Sequence, residues 1–160
     1  MAEVKVPRFM ISAPGSGSGK TTIVCGLLKA LMEKGSVAAF KSGPDYIDPM
    51  FHSRVIGAKS RNLDLFMLGQ AITRYLVAKN ARHADVAVFE GAMGFYDGMG
   101  KTTEASAYEL ACTCDVPVVL VVNGKGAALS IAATIKGFKE FRSDSHIVGA
   151  ILNNVNPMSY

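Results

Sequence analysis

The sequence predicts an α/β fold in three layers, with a mostly parallel, twisted β-sheet covered by helices on both faces. Three observations predict it. Five short runs, residues 9–12, 37–41, 86–90, 118–123 and 147–153, are almost continuously apolar, as strands buried on both faces are. Helical patterns at 21–34, 69–82, 103–114 and 128–141 lie between most of them. Each run is followed by a polar or Gly-containing turn. Strands alternating with helices imply parallel pairing, right-handed crossovers and ligands at the carboxyl ends of the strands.

The bulk composition bounds the possibilities. A chain of 160 residues is one domain by default and can bury a sizeable core. With 49% hydrophobic and 19% charged residues it is globular rather than disordered. The net charge of +4 suits anionic ligands, but no Lys/Arg-rich block appears, which argues against nucleic acid as a partner. Cys25, Cys112 and Cys114 form no C-x-x-C pair and fit a reducing cytoplasm. No apolar run is long enough to span a bilayer, so no membrane association is expected.

The first run leads into Ala13-Pro-Gly-Ser-Gly-Ser-Gly-Lys-Thr-Thr22, and a helical pattern follows at once. Strand, Gly-rich turn, Lys-Thr and helix together make a phosphate cradle, the P-loop. Gly15, Ser16, Gly17, Ser18 and Gly19 turn backbone N–H groups inward on an anion. The helix N-terminus adds partial positive charge. Lys20 is placed to reach the β/γ phosphates and the Thr21 hydroxyl to ligate Mg²⁺, with Thr22 completing the loop. The pattern G-x-x-x-x-G-K-[ST] wants Gly where this chain has Pro14, and Gly15 supplies the turn instead. A dinucleotide pattern G-x-G-x-x-G fails, because it would need Gly in place of Lys20. A flexible Ser/Gly turn would account for the glycines, but not for Lys-Thr-Thr opening a helix.

After the second run come Lys41-Ser-Gly-Pro-Asp45-Tyr-Ile-Asp48-Pro-Met-Phe-His52, a loop punctuated by proline. Lys41 lies at a strand end on the P-loop edge, where a phosphate or carboxylate contact is expected. Asp48 supports two readings, a catalytic group or a helix N-cap with Pro49 behind it. Asp45 has no such capping role in the pattern. Arg61 reads either as a contact to an anionic substrate or as an ion-pair partner of Asp64, and Met67 and Leu68 read as core. His52, His83 and His146 read as structural.

The third run ends in Glu90-Gly-Ala-Met-Gly-Phe-Tyr-Asp97-Gly98. An acid at the tip of a buried strand is costly unless a cation holds it, and Mg²⁺ does so. Asp97 is a site candidate or a plain Asp-Gly turn former. Lys125 follows the fourth run on another Gly-rich turn and is a weaker anion contact. The fifth run ends at Asn153, in the place where P-loop proteins recognise the base.

The P-loop, the Lys41–Pro49 block and the Glu90–Gly98 block, supported by Arg61-Asn-Leu-Asp64 and Ile151-Leu-Asn153, resemble the N-terminal synthetase domain of the cobyrinic acid a,c-diamide synthase family. Cobyric acid synthase and, more distantly, dethiobiotin synthetase are related to it. The resemblance implies a P-loop NTPase fold over residues 1–160 and a cytoplasmic ligase of cobalamin biosynthesis. A peripheral a or c carboxylate of a corrinoid would attack the γ-phosphate of ATP, and ammonia would displace phosphate from the acyl phosphate. It implies Mg²⁺ on Thr21, Asp45 and Glu90. Lys20, Lys41, Asp48 and Asp97 are implied in catalysis, Asn153 at adenine, and Tyr46, Arg61 and Lys125 at the substrate. The implied partners are the corrinoid, a glutaminase domain or other ammonia source, and a second copy in a homodimer. No Cys lies in a Gly-flanked nucleophile turn, so the glutaminase domain is expected to be absent from these residues. Two other expectations stand beside this one. One is a related amidotransferase acting on a nickel tetrapyrrole or in the cobyric acid pathway. The other is a ParA/MinD-like ATPase switch, whose signature loop Lys is Gly15 here.

Overall fold

The computed structural model describes residues 5–156. Its elements are β1 (Arg8–Ser12), α1 (Lys20–Met32), β2 (Val37–Ser42), α2 (Ile47–Phe51), β3 (Ser60–Leu63), α3 (Leu65–Ala81), β4 (Val86–Glu90), α4 (Ala107–Cys114), β5 (Val118–Asn123), α5 (Ser130–Glu140) and β6 (Ile147–Asn153). The six strands form one sheet in the order β3-β2-β4-β1-β5-β6. Every pairing is parallel.

The alternation of apolar side chains divides the core between the two faces. Met10, Phe40, Phe89, Leu120 and Val122 point to the layer built by α3, α4 and α5. Ile11, Ala39, Val88 and Val121 point to α1, which lays Val24 and Leu28 against them. Phe40 and Phe89 sit on neighbouring strands with ring centroids 4.9 Å apart, both essentially without solvent contact. The register then decides where the chemistry lies. Lys41 is the cross-strand partner of Glu90, and Glu90 is level with Ile11, so the tips of β2, β4 and β1 end together beside the Gly-rich loop.

Several local expectations are corrected. The sheet has a sixth strand, β3, formed by the polar segment Ser60–Leu63. Its two exposed central residues hide it from a reading based on apolar runs. The helix expected at 69–82 begins earlier, at Leu65. The Asp64 carboxylate accepts the N–H groups of Phe66 and Met67 there, and the helix is interrupted at Gly69 (φ 68°). Asp64 is therefore a cap, and the guanidinium of Arg61 donates to the carbonyl of Ser60. Met67 is 75% exposed, not core. Helix α4 starts later than expected, at Ala107. Its cap, Ser106, accepts from the N–H of Glu109.

Capping in the proline-punctuated loop is also reassigned. Asp48 lies inside α2. It is Asp45 whose carboxylate accepts the N–H groups of Ile47 (2.9 Å) and Asp48 (3.3 Å). Helix α2 runs into a π-helical turn, His52–Ile56. Among the described residues no helix is long and apolar enough to cross a membrane.

Two measurements check this packing. Phe89→Ala should lower the unfolding free energy in a urea titration by about 3–5 kcal/mol, because the closed ring pair cannot collapse around the void. Burial pushes the Cys114 thiol up to about 11. A thiol reagent at neutral pH should therefore leave Cys114 unmodified in the native chain and label it after denaturation.

Candidate active site

The Gly-rich loop is shaped by residues no other type could replace cheaply. Gly17 and Gly19 have φ of 79° and 92°, the left-handed region that turns successive N–H groups to one side. A Cβ on Gly19 would also stand 2.3 Å from the side-chain nitrogen of Asn153. That nitrogen donates to the carbonyl of Ser18 at 3.0 Å, so the tip of β6 is pinned to the loop.

A cleft of about 440 Å³ opens beside the loop, lined by Lys20, Thr21, Lys41, Asp45, Asp48 and Met93 among others. Lys20 donates to the carbonyls of Met93 (2.8 Å) and Gly15 (3.3 Å). Burial, helped by the nearby charge of Lys41, lowers its pKa. Lys41 is 3% exposed and holds the centre of the site. Its ammonium stands 2.5 Å from Asp48 Oδ2, 3.1 Å from Glu90 Oε1 and 3.6 Å from Asp45 Oδ2. Burial alone would lower the pKa of Lys41. The carboxylates of Glu90 and Asp48 outweigh it, and the pKa is raised.

Glu90 has no solvent contact. Burial would raise its pKa, but His52, Lys41 and the Thr21 hydroxyl together hold it below the ordinary glutamate value. Thr21 Oγ1 donates to Glu90 Oε1 at 2.7 Å and lies 3.4 Å from Asp48 Oδ2. His52 Nε2 is 3.1 Å from Glu90 Oε2. The contact is close, but off the line of a hydrogen bond. The other ring nitrogen, Nδ1, is 3.3 Å from the Ser60 hydroxyl.

Thr21 Oγ1, Glu90 and Asp48 are hard oxygen donors within one small space. Among the described residues no cluster of three or more His, Cys, Asp or Glu is arranged as a metal cage. A hydroxyl and two carboxylates fit Mg²⁺, which keeps most of its ligands from phosphate and water and takes few from protein.

The residues singled out in the sequence fall into two groups. Gly15, Ser16, Gly17, Ser18, Gly19, Lys20, Thr21, Thr22, Lys41, Asp45, Asp48 and Glu90 share the loop and the strand tips beside it. Asn153 touches the loop from the far side. Asp97 is exposed in the turn after β4, where its carboxylate accepts the Gly94 N–H at 3.1 Å. Tyr46 is 74% exposed on the rim next to Asp45. Arg61 is exposed on the edge strand β3, and Lys125 is exposed beyond β5. Those two strands are four intervals apart in the sheet, about 19 Å. Three participants were not foreseen: His52, the Met93 carbonyl, and Asn62, whose amide donates to the carbonyls of Gly43 and Asp45. The only sequence signal for His52 was its nearness to the Asp45–Asp48 block.

Comparisons with known proteins show the family and the fold. The model of the CobQ/CobB/MinD/ParA nucleotide binding domain matches residues 9–159. A cobyrinate a,c-diamide synthase from Clostridium acetobutylicum is 45% identical over 153 residues, covering 95% of this chain and 35% of that protein. A hydrogenobyrinate a,c-diamide synthase from Streptomyces coelicolor is 45% identical over 152 residues, covering 94% of this chain and 31% of that protein. The chain thus spans about a third of the length of these curated relatives. Among solved structures, the signal recognition particle receptor FtsY from Elizabethkingia anophelis superposes with a TM-score of 0.66 at 14% identity, covering 94% of this chain and 51% of that one. The ATP complex of Cyanothece McdA(D38A) gives 0.57 at 11% identity, covering 97% and 71%. At such identities the structures establish the P-loop NTPase-like fold alone.

Removing the central cation should be costly. Lys41→Met leaves Glu90 buried beside Asp48 without a counter-charge, and the unfolding free energy should fall by about 3–5 kcal/mol. Adding Glu90→Gln to Lys41→Met should cost less than the sum of the two single changes, measured as a double-mutant cycle by urea unfolding.

Proposed function

We propose, because the chain belongs to the CobQ/CobB/MinD/ParA nucleotide-binding domain family, that it is the ATP-using part of an amide-forming ligase that acts on carboxylates of a cobyrinate-type corrinoid. The observation that carries the proposal is the meeting of Lys20, Thr21, Lys41, Asp48 and Glu90 at level strand tips beside the Gly-rich loop. The resemblance of the chain to cobyrinate and hydrogenobyrinate a,c-diamide synthases supports the substrate class and a place in cobalamin biosynthesis.

The chemical difficulty in such a reaction is charge. A carboxylate must approach a triphosphate, and both are negative. The loop N–H groups and the α1 N-terminus receive the phosphates. The Lys20 ammonium, resting on neutral carbonyls, gains a far stronger partner when an anion arrives. Lys41, already flanked by carboxylates, offsets repulsion at the attacking side and charge that develops during transfer. Thr21 and Glu90, with Asp45 or Asp48, would hold Mg²⁺, which when bound neutralises the β- and γ-phosphates. No general base is needed for attack, since the substrate carboxylate is already ionised at neutral pH. Transfer gives an acyl phosphate and ADP, and ammonia then displaces phosphate to give the amide. Asn153 holds the loop and the base side of the nucleotide.

The test is turnover with ammonium chloride as nitrogen source. ADP release that requires ATP, ammonia and cobyrinic acid together is the expected result. ATP hydrolysis indifferent to the corrinoid would sink the proposal and leave the ATPase-switch reading. Glu90→Gln should lower the coupled turnover by about 100-fold or more. Turnover that survives this change would remove Glu90 from the metal-holding set.

A further inference from the structure

Across the turn that follows β4, a second cleft of about 500 Å³ opens on the other side of Met93. Met93 lines both clefts. Its backbone has φ of 50°, and its carbonyl is held by Lys20 at 2.8 Å. Met93 is therefore a shared border of the phosphate cleft and its neighbour.

The lining of the second cleft has a distinct chemistry. Met93 and Phe141 in it are 61% and 64% exposed, apolar surface that faces water. Phe141 packs on Tyr96 with centroids 5.0 Å apart, and the Tyr96 hydroxyl is fixed on the carbonyl of Phe138 at 2.7 Å. The guanidinium of Arg142 lies 5.4 Å from the centre of the Phe141 ring. Lys101 and Arg142 are exposed cations in the lining, against a single acid, Asp97. An aromatic wall with two cations and one acid suits a ligand that is flat, apolar in its body and anionic at its periphery.

We propose that this cleft holds one edge of the polycarboxylate macrocycle. Tyr96 and Phe141 lie against the ring system, and Lys101 and Arg142 meet carboxylates other than the one that reacts. The reacting arm then passes over Met93 toward the γ-phosphate. The inference rests on the ligase reading and adds a place for the substrate beyond Tyr46, Arg61 and Lys125. Pockets that engulf a drug-sized ligand hold about 300–1,000 Å³, so a cleft of this size takes an edge of so large a ring and leaves the rest outside.

The experiment is titration of the full chain with cobyrinic acid, followed by the visible absorbance of the corrinoid. Binding of a fluorescent ATP analogue and sedimentation velocity are measured on the same samples. The wild-type chain should bind both ligands. K101A/R142A should weaken corrinoid binding about tenfold and flatten its salt dependence, and F141A should weaken it about fivefold. All three side chains are exposed, so the thermal midpoint should hold, and the affinity for the ATP analogue should stay within about twofold. Equal corrinoid affinity in wild type and both variants overturns the subsite while leaving the ligase reading intact. So does a change confined to nucleotide affinity, or a loss of self-association with corrinoid binding unchanged. A wild-type chain that binds the nucleotide and no corrinoid overturns the ligase reading and the subsite with it.

Discussion

One ammonium group surrounded by carboxylates organises this molecule. Lys41 is nearly sealed from solvent, and Asp45, Asp48 and Glu90 all stand within 3.6 Å of its nitrogen. A buried ion pair of this kind does not stabilise a fold cheaply, since desolvation consumes much of the attraction. What it supplies here is placement. It joins the tips of β2 and β4 and draws in the start of α2, so that the Thr21 hydroxyl finds Glu90 at 2.7 Å. The parallel sheet provides the alignment that makes this possible, because the register puts Lys41 directly opposite Glu90.

The overall architecture was legible because parallel strands buried on both faces are written as apolar runs. β3 was not, because an edge strand of four residues with two exposed polar members carries no such signal. The blocks around Lys20, Lys41 and Glu90 were legible as chemistry at strand ends. The division of labour between Asp45 and Asp48 was not. Asp-Pro is a common helix start, yet in the folded chain the earlier acid takes the N–H groups while the later one faces Lys41. Met67 reads as core because a Leu-Phe-Met-Leu cluster looks buried, whereas in the first turn of α3 it is Leu65 that is buried and Met67 that faces water.

The nitrogen of His52 that faces Glu90 shows how a site extends past the residues that touch a ligand. The imidazole sits between a carboxylate at the tip of β4 and a hydroxyl on β3. It thereby links the sheet edge to the acid in its middle. A lone histidine after a proline-rich loop carries no pattern that foretells such a bridge, because the spacing that matters runs through space between strands.

The amide of Asn153 resting on Ser18 spans 135 positions of the chain. A contact of that separation closes late, since the entropy of joining distant segments must be overcome first. The cradle near the amino end thus acquires its final shape only when the last strand has taken its place. During synthesis, a polypeptide still emerging from the ribosome would carry an unfinished loop, and firm nucleotide capture would report that β6 has docked.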